Sequence, residues 1–253
     1  MKHFLETALE AVSAASIPII EHFHGSFEVE MKSDQTPVTI ADREAEQAIR
    51  SVLRDAFPDH GIWGEEYGAS DRESDYLWLI DPVDGTKSFV RGYGMFSTQL
   101  ALLHKGRIVL GVSNAPLMGE LAWATLDGGA WLEGQRMRVS AIAELEQATV
   151  STGNLATLAR SERWPALGEI LAGANRSRGY GDFYHYHRLA QGQLDAVIES
   201  DVNVLDIAAL SLIVTEAGGV FTDLEGQPVG METRSVLAAT PGLHAGLLQA
   251  LSQ

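Results

Sequence analysis

The chain has 253 residues and a mass of 27.3 kDa, which is enough to bury a sizeable core in one large domain or two smaller ones. Acidic residues outnumber basic residues by 34 to 18, and the formal charge of −16 repels a nucleic-acid backbone. The absence of cysteine excludes a disulfide framework, a thiolate zinc site and a cysteine nucleophile. We therefore expect a cytoplasmic globular protein that does not bind nucleic acid.

The N-terminal half begins with apolar residues at helical spacing, and Pro18 is expected to kink this first helix. Acidic residues interrupt the segment, so it does not resemble a signal peptide, and we expect no membrane span anywhere in the chain. The segment FEVEM alternates like a strand. Thr39 then begins a helix that ends at Phe57, with Asp42 three residues into it, as in a capping box.

The pattern then changes twice along the chain. Five short strands follow the second helix, and the short turns between them favour an antiparallel sheet: GIWG, YLWLI, STQLALL, RIVLGVSN and ELAWAT. After about Arg138 we expect helices at 155–172, 182–191, 205–217 and 241–252, with strands at LDAVIES and GVFTD. This change predicts two lobes, an N-terminal α+β lobe of residues 1–138 and a C-terminal α/β lobe of residues 139–253.

Carboxylates follow two neighbouring strands of the predicted sheet. In WLIDPVDGTKSF, Asp81 and Asp84 come directly after an apolar strand, and Glu65 follows the strand GIWG. A polar turn after a strand is the simpler interpretation of either segment alone. Together they gather repelling carboxylates at one edge of a sheet, which a cation would offset. Oxygen ligands of this kind suit Mg²⁺. We expect Pro82 to end the strand pairing and to let the two aspartates converge.

The residues after Asp84 favour a phosphate site. Gly85 and Thr86 lead into a predicted short helix, TKSFV, whose free N–H groups can bind an anion. The common nucleotide, serine hydrolase and zinc peptidase motifs are absent from the sequence. The D-x-x-D-G-T spacing is one residue longer than that of phosphatases with an aspartyl nucleophile. We therefore interpret the two aspartates as metal ligands and expect water to be the nucleophile.

Three ordered segments, GEE, WLIDPVDGTKSF and LDIAALSLIVTEAGGVFTD, together resemble the inositol monophosphatase family of magnesium-dependent, lithium-sensitive phosphatases. The resemblance implies an α+β fold, a layered α-β-α-β-α sandwich with metal ions between its two lobes. It also implies two or three Mg²⁺ ions, a small phosphomonoester as substrate and a homodimer. A phosphate-binding protein of the same fold without catalytic activity remains an alternative at this stage.

The resemblance also assigns roles to residues. The implied metal ligands are Glu65, Asp81, Asp84 and Asp206, with the backbone carbonyl of Val83. Glu65, Thr86 and Asp42 are the implied catalytic residues, in which the Thr86 hydroxyl and an acidic partner position the attacking water. Gly85 and Thr86 are the implied phosphate-binding residues. Taken without the family, Asp206 is a helix N-terminal capping residue and Asp42 a charge in the first turn of a helix.

The sequence departs from the family pattern at Leu205, where tryptophan usually precedes the second-lobe aspartate, and this weakens an aromatic wall but leaves the ligand. The segment GDFYHYHRLAQGQLDAVIES resembles the histidinol-phosphate phosphatase branch of the family. We therefore expect four residues to contact the alcohol half of the substrate: Asp182, His185, Glu199 and Asp201. A role for His187 is left open, Asp182 and Asp201 could instead be solvated or capping residues, and inositol-1-phosphate is the chief alternative substrate.

Overall fold

The computed structural model describes residues 1–25, 29–31 and 37–252. Within this part of the chain the helices are α1 (Lys2–His24), α2 (Ile40–Ala56), α3 (Thr86–Val90), α4 (Leu155–Arg160), α5 (Trp164–Gly173), α6 (Asp182–Ala190), α7 (Val204–Glu216) and α8 (Pro241–Leu251). None of them is both long enough and apolar enough to pass through a lipid bilayer.

The strands in the described residues form three sheets. A two-stranded pair consists of β1 (Val29–Met31) and β2 (Pro37–Thr39). The largest sheet contains β3 (Gly61–Gly64), β4 (Gly68–Ser70), β5 (Tyr76–Asp84), β6 (Ser97–His104), β7 (Arg107–Ala115), β8 (Glu120–Thr125), β9 (Gly129–Leu132) and β10 (Gln135–Arg136). The other contains β11 (Thr149–Thr152), β12 (Arg176–Arg178), β13 (Ala196–Ser200), β14 (Val220–Thr222) and β15 (Ser235–Ala239).

Five layers follow from the faces that these elements bury. α1 and α2 pack on one face of the eight-stranded sheet, where residues such as Ala11, Ile49 and Trp78 share a core. α6 and α7 fill the space between the two large sheets. α4, α5 and α8 cover the outer face of the five-stranded sheet, with Leu158, Leu167 and Leu243 in that core. The expected α-β-α-β-α sandwich is therefore confirmed.

The predicted elements agree with the structure in most places. α1 continues through Pro18, and α2 begins with the expected capping box of Thr39 and Asp42. The single helix predicted at 155–172 is two helices, α4 and α5. The strand predicted at FEVEM lies partly outside the described residues. Strands up to Arg136 belong to the eight-stranded sheet, and strands from Thr149 onward belong to the five-stranded sheet. The division into two lobes at residue 138 stays a prediction.

The prediction that pairing ends at Pro82 is wrong. β5 pairs with β6 up to Asp81, which lies opposite Gln99, and pairing resumes at Asp84, which lies opposite Ser97. The extra residue on β5 forms a β-bulge, which accommodates the missing N–H of proline and re-aims the side chains around it.

A second correction concerns strand direction, because β3 and β5 are parallel in a sheet that is otherwise antiparallel. The carboxyl ends of β3 and β5 therefore share one edge of the sheet.

A buried ion pair on α2 holds the turn that follows β3. The carboxylate of Glu46 accepts hydrogen bonds from the N–H groups of Glu66 (2.7 Å) and Tyr67 (3.2 Å) and from Arg50 Nε (2.7 Å). Arg50 also donates to the carbonyl of Gly68. Gly64 is required here, because a Cβ on it would lie 2.0 Å from Glu46 Oε1. α2 therefore fixes the backbone of this turn and of Gly68, the first residue of β4.

We expect Glu46→Gln to lower the free energy of unfolding by about 3–5 kcal/mol. The amide would leave the Arg50 guanidinium without its counter-charge, in a pair whose side chains are only 7% and 0% exposed. Glu44→Gln on the same helix is the matched control, because Glu44 is 47% exposed and its pairing with His22 should contribute less than about 1 kcal/mol. Urea unfolding of the two variants tests this, and equal losses would contradict it.

Candidate active site

Carboxylates converge where β3, the bulge of β5 and the first turn of α7 meet. Asp81 is buried, and its Oδ1 accepts a hydrogen bond from the N–H of Val83 at 3.0 Å. Burial raises the pKa of Asp81 well above its usual range, and the nearby charges of Glu65, Asp206 and Asp84 raise it further. Glu65 itself is exposed, and its N–H donates to the carbonyl of Ile80 at 3.2 Å. The structure therefore brings together the four carboxylates expected to bind metal.

Asp84 and Asp206 are each held by several donors. Asp84 Oδ2 accepts from Ser97 Oγ at 3.1 Å and from the N–H of Phe183 at 3.2 Å. Asp206 forms a capping box with Asn203, whose N–H donates to Oδ2 at 2.9 Å. Burial raises the pKa of Asp84 well above its usual range and that of Asp206 to about 7. Asp206 therefore caps α7 and also belongs to the acidic cluster.

The donor set fits a hard divalent cation in its chemistry. Four carboxylates with mutual repulsion are oxygen ligands of the kind that Mg²⁺ prefers, and a cation would offset that repulsion. As the side chains stand, no group of three or more His, Asp or Glu residues within the described ranges is arranged to hold a metal ion. Part of the reason is that Asp206 turns both carboxylate oxygens toward Asn203.

The expected catalytic and phosphate-binding residues lie next to this cluster. The Thr86 hydroxyl is 2.9 Å from the Val83 carbonyl and 3.2 Å from Asp42 Oδ1, and its single proton can go to either oxygen. Burial raises the pKa of Asp42, although hydrogen bonds from Thr39 act in the opposite direction. Gly85 has a φ of 88°, in the left-handed region, and a Cβ there would lie 2.9 Å from the Met95 carbonyl. Glycine is therefore required at the start of α3.

A small cavity of about 40 Å³ lies beside the acidic cluster, on the side of α6 and β13. Its lining residues are Asp84, Asn154, Asp182, Tyr186, Glu199, Val202, Asp206, Ile207 and Leu210. Four of the nine are carboxylates. Burial, followed by the charge of Glu199, raises the pKa of Asp182 to about 6. A ligand that enters this cavity next to Asp182 and Glu199 must therefore offset negative charge.

Two residues of α6 hold the carboxylate of Glu199 in place. Tyr186 Oη donates to Glu199 Oε2 at 2.6 Å, and His185 Nε2 lies 3.0 Å from the same oxygen. The other ring nitrogen of His185 lies 3.4 Å from Ser151 Oγ. His185 is fully buried and does not line the cavity, so it can act on a ligand only indirectly, through the carboxylates of Glu199 and Asp182.

Other expected residues lie elsewhere. Asp201 is exposed and does not line the cavity, and its role in substrate binding stays a prediction. His187 points away from the cavity toward the eight-stranded sheet, where it contacts Glu120 and Ser113. Leu205 is buried against Leu77 and Leu79, so it forms part of a core instead of an aromatic wall.

Sequence reasoning missed the two uncharged polar residues of the cavity wall, Asn154 and Tyr186, and its three apolar residues, Val202, Ile207 and Leu210. Asn154 precedes α4, and its Nδ2 donates to the carbonyl of Ser200 at 2.8 Å. No local pattern marks it, because its partner lies 46 residues away in the chain. Tyr186 stands between the two histidines of YHYH, and its helical phase relative to Asp182 could have placed it on the same face.

Comparison with known proteins identifies the family. The sequence profile of the inositol monophosphatase family matches residues 1–253. The histidinol-phosphatase of Mycobacterium tuberculosis is 39% identical, with 88% of this chain and 88% of that protein covered. The fructose-1,6-bisphosphatase/inositol-1-monophosphatase of Thermotoga maritima is 34% identical, with 85% and 82% covered. The crystal structure of extragenic suppressor protein suhB from Bartonella henselae superposes with a TM-score of 0.92 at 29% identity, over 99% of each chain.

The chain therefore belongs to the inositol monophosphatase family. It is accordingly a phosphoric monoester hydrolase that acts on a small phosphomonoester. Family membership alone does not identify the alcohol that the enzyme releases, which depends on the residues that surround the cavity.

We expect the stability of the metal-free protein to depend on pH through Asp206. Its pKa is about 7 in the folded protein against 3.8 for an unperturbed aspartate. The folded state therefore holds this proton more tightly, and the stability associated with it is present at low pH and is lost as the pH rises from about 4 to about 7. Asp206→Asn cannot ionise and should escape this loss.

The measurement is the difference in unfolding free energy between Asp206→Asn and the unaltered protein, in the presence of a chelator. This difference should shift in favour of the variant between about pH 5 and about pH 8. Asp55→Asn, at an exposed position of α2, is the control and should give a constant difference. A pH-independent difference for Asp206→Asn would show that its carboxylate does not ionise in this window.

Proposed function

We propose that the protein is a Mg²⁺-dependent histidinol-phosphatase, which hydrolyses L-histidinol phosphate to L-histidinol and phosphate in histidine biosynthesis. The observation that carries this proposal is the carboxylate lining of the cavity beside the acidic cluster. Histidinol phosphate carries an ammonium group and a titratable imidazole beyond its phosphate, and carboxylates accept charge-assisted hydrogen bonds from both. The similarity to the histidinol-phosphatase of M. tuberculosis supports the same substrate.

The acidic cluster would bind the metal. Glu65, Asp81, Asp84 and Asp206, with the Val83 carbonyl, would hold two or three Mg²⁺ ions at the meeting point of β3, β5 and α7. When bound, the cation supplies a Lewis acid that offsets negative charge on the phosphate, the attacking water and the leaving oxygen. This charge reversal would allow so acidic a site to accept an anion.

Thr86 and Asp42 would orient the attacking water. When Thr86 donates its proton to Asp42 Oδ1 or to the Val83 carbonyl, its Oγ1 lone pairs remain free to accept a hydrogen bond from water. The raised pKa of Asp42 suits a group that takes up a proton during the reaction. Gly85 and Thr86, at the start of α3, would hold the phosphate through their backbone N–H groups.

Water, and not an aspartate, would attack phosphorus. Asp81 is buried and engaged by the N–H of Val83, and Asp84 is engaged by Ser97 and Phe183. Both carboxylates would therefore serve as metal ligands behind the phosphate site. The reaction would break the bond between phosphorus and the histidinol oxygen without a covalent phosphoenzyme.

Asp182 and Glu199 would bind the cationic alcohol half of the substrate. Asp182 lines the cavity at the first residue of α6, and Glu199 lines the opposite wall on β13. His185 and Tyr186 hold Glu199 in place, and the Tyr186 contact of 2.6 Å also limits its rotation. A cytoplasmic homodimer is part of the same proposal.

Inositol-1-monophosphatase is the second candidate function, and the similarity to the T. maritima protein favours it. In that case Glu199 would accept a hydrogen bond from a hydroxyl of a neutral polyol. The two functions differ in the use of Asp182, because a neutral substrate gains little from a second carboxylate in the cavity.

We expect kcat/KM for L-histidinol phosphate to exceed that for inositol-1-phosphate. Asp182→Asn should narrow this ratio roughly tenfold, since one charge-assisted hydrogen bond contributes about 1.5 kcal/mol. Asp55→Asn is the matched control, because Asp55 is exposed on α2 outside the cavity and should leave the ratio unchanged. Equal efficiency on both substrates, or an unchanged ratio in Asp182→Asn, would favour the inositol phosphatase.

We expect Asp84→Asn to lower kcat/KM at least about 100-fold at saturating Mg²⁺ and to abolish thermal stabilisation by Mg²⁺. The amide keeps one oxygen for Ser97 but removes the charge that a cation needs. Asp195→Asn is the control, because Asp195 is an equally buried carboxylate that instead accepts from Ser140 and Thr149. Activity of Asp84→Asn within about tenfold of the unaltered protein would contradict its role as a ligand.

A further inference from the structure

His187 belongs to a buried chain of hydrogen bonds that ends at Asp84. The imidazole is fully buried between α6 and the eight-stranded sheet. Nδ1 lies 2.9 Å from Glu120 Oε2 on β8, and Nε2 lies 2.9 Å from Ser113 Oγ on β7. The ring therefore connects a half-buried carboxylate near the surface to the interior of the sheet.

The ionised state of Glu120 determines which atom donates in the first two hydrogen bonds. Burial acts to raise the pKa of Glu120, but the hydrogen bond from His187 and the charge of Arg188 outweigh it and lower the pKa. An ionised carboxylate can only accept, so Nδ1 must carry the proton. Burial keeps the imidazole neutral by lowering the pKa of His187, which leaves Nε2 as an acceptor. Ser113 must therefore donate its proton to His187.

The orientation of Gln99 follows in turn. Gln99 Nε2 lies 3.0 Å from Ser113 Oγ, 2.7 Å from Ser97 Oγ and 3.4 Å from Asp84 Oδ2, and its two protons go to the two nearer oxygens. If the amide were reversed, Ser113 and Ser97 would have to donate to Gln99 Oε1. His187 and Asp84 would then each lose a donor. The assigned orientation leaves Gln99 Oε1 buried without a partner among the described residues, which is the cost of this arrangement.

Asp84 receives the last hydrogen bond of the chain. Ser97 accepts from Gln99 and therefore donates its own proton to Asp84 Oδ2, at 3.1 Å. The N–H of Phe183 donates to the same oxygen at 3.2 Å. Phe183 and His187 are four residues apart on α6 and lie on one face of it. One helix face thus holds Asp84 both directly and through the sheet.

We propose that His187 is a positioning residue that, through Ser113, Gln99 and Ser97, keeps Asp84 Oδ2 occupied and directs Oδ1 toward the metal. This inference rests on the proposed function, because it needs Asp84 as a Mg²⁺ ligand. His187 does not line the cavity and makes no hydrogen bond to Asp84 itself, so its effect passes through Ser113 and Gln99. From Gln99 it reaches Asp84 Oδ2 through Ser97 and through a direct contact of 3.4 Å.

The test measures Mg²⁺ binding by calorimetry at a temperature at which every variant is folded. His187→Leu should weaken Mg²⁺ binding about tenfold, as loss of an outer hydrogen bond to a metal ligand does. His187→Gln should restore most of the affinity, because its amide oxygen can accept the proton of Ser113. Ser113→Ala, which interrupts the chain with a minimal loss of volume, should weaken binding like His187→Leu.

His244→Leu is the matched control. His244 is also buried, and its Nε2 contacts Thr222 Oγ1 at 3.0 Å, but it belongs to α8 in the outermost layer. Its loss should lower the melting temperature without any change in Mg²⁺ affinity. Unchanged affinity in both His187→Leu and Ser113→Ala, or an equal loss in His244→Leu, would overturn the proposal.

Nitrogen NMR of the unaltered protein gives a second and independent check. The spectrum of His187 should show a neutral ring protonated at Nδ1, and a ring protonated at Nε2 would overturn the proposal even if a variant failed to fold. The test also separates failure of the proposed function from failure of the positioning role. An unaltered protein that binds no Mg²⁺ would refute both proposals. Normal Mg²⁺ binding that is insensitive to this chain would refute only the positioning role.

Discussion

Mutual repulsion among buried carboxylates is the constraint around which this structure is organised. Asp81 and Asp84 of strand β5 and Asp206 of helix α7 are drawn together, and each has a raised pKa because burial and its neighbours oppose its charge. Each carboxylate is nevertheless held by backbone or side-chain donors that fix its position. The fold therefore maintains a concentration of negative charge that is favourable only when a cation, or a cationic ligand, is present.

The same local structure, a helix capping box, positions one carboxylate of this cluster and one carboxylate beside it. α2 and α7 both begin with a capping box, Thr39 with Asp42 and Asn203 with Asp206, in which the carboxylate three residues into the helix bonds back to the preceding backbone. A capping carboxylate is rigid and lies at a helix end. The capping and the functional interpretations of Asp42 and Asp206 are therefore compatible, because the cap supplies the rigidity that a ligand or an orienting group needs.

Local chemistry made much of the fold and of the acidic cluster predictable from sequence. The capping box at Thr39, the short helix after Gly85 and the strands from GIWG to ELAWAT depend on neighbouring residues, and the structure contains them. The bulge at Pro82 was missed because it depends on pairing with β6, which is distant in the chain. The strands β11, β12 and β15 were missed for a similar reason, since strand pairing between distant segments determines them.

The two histidines of YHYH show which part of the site sequence alone could not resolve. His185 and His187 are two residues apart, so they lie on nearly opposite faces of α6. Because α6 lies between the two large sheets, His185 contacts Glu199 on the five-stranded sheet and His187 contacts Ser113 on the eight-stranded sheet. A single helix turn thus reaches both Glu199 in the cavity wall and the side chains behind Asp84. Any displacement of α6 would alter both together, which couples the cavity wall to the geometry of the acidic cluster.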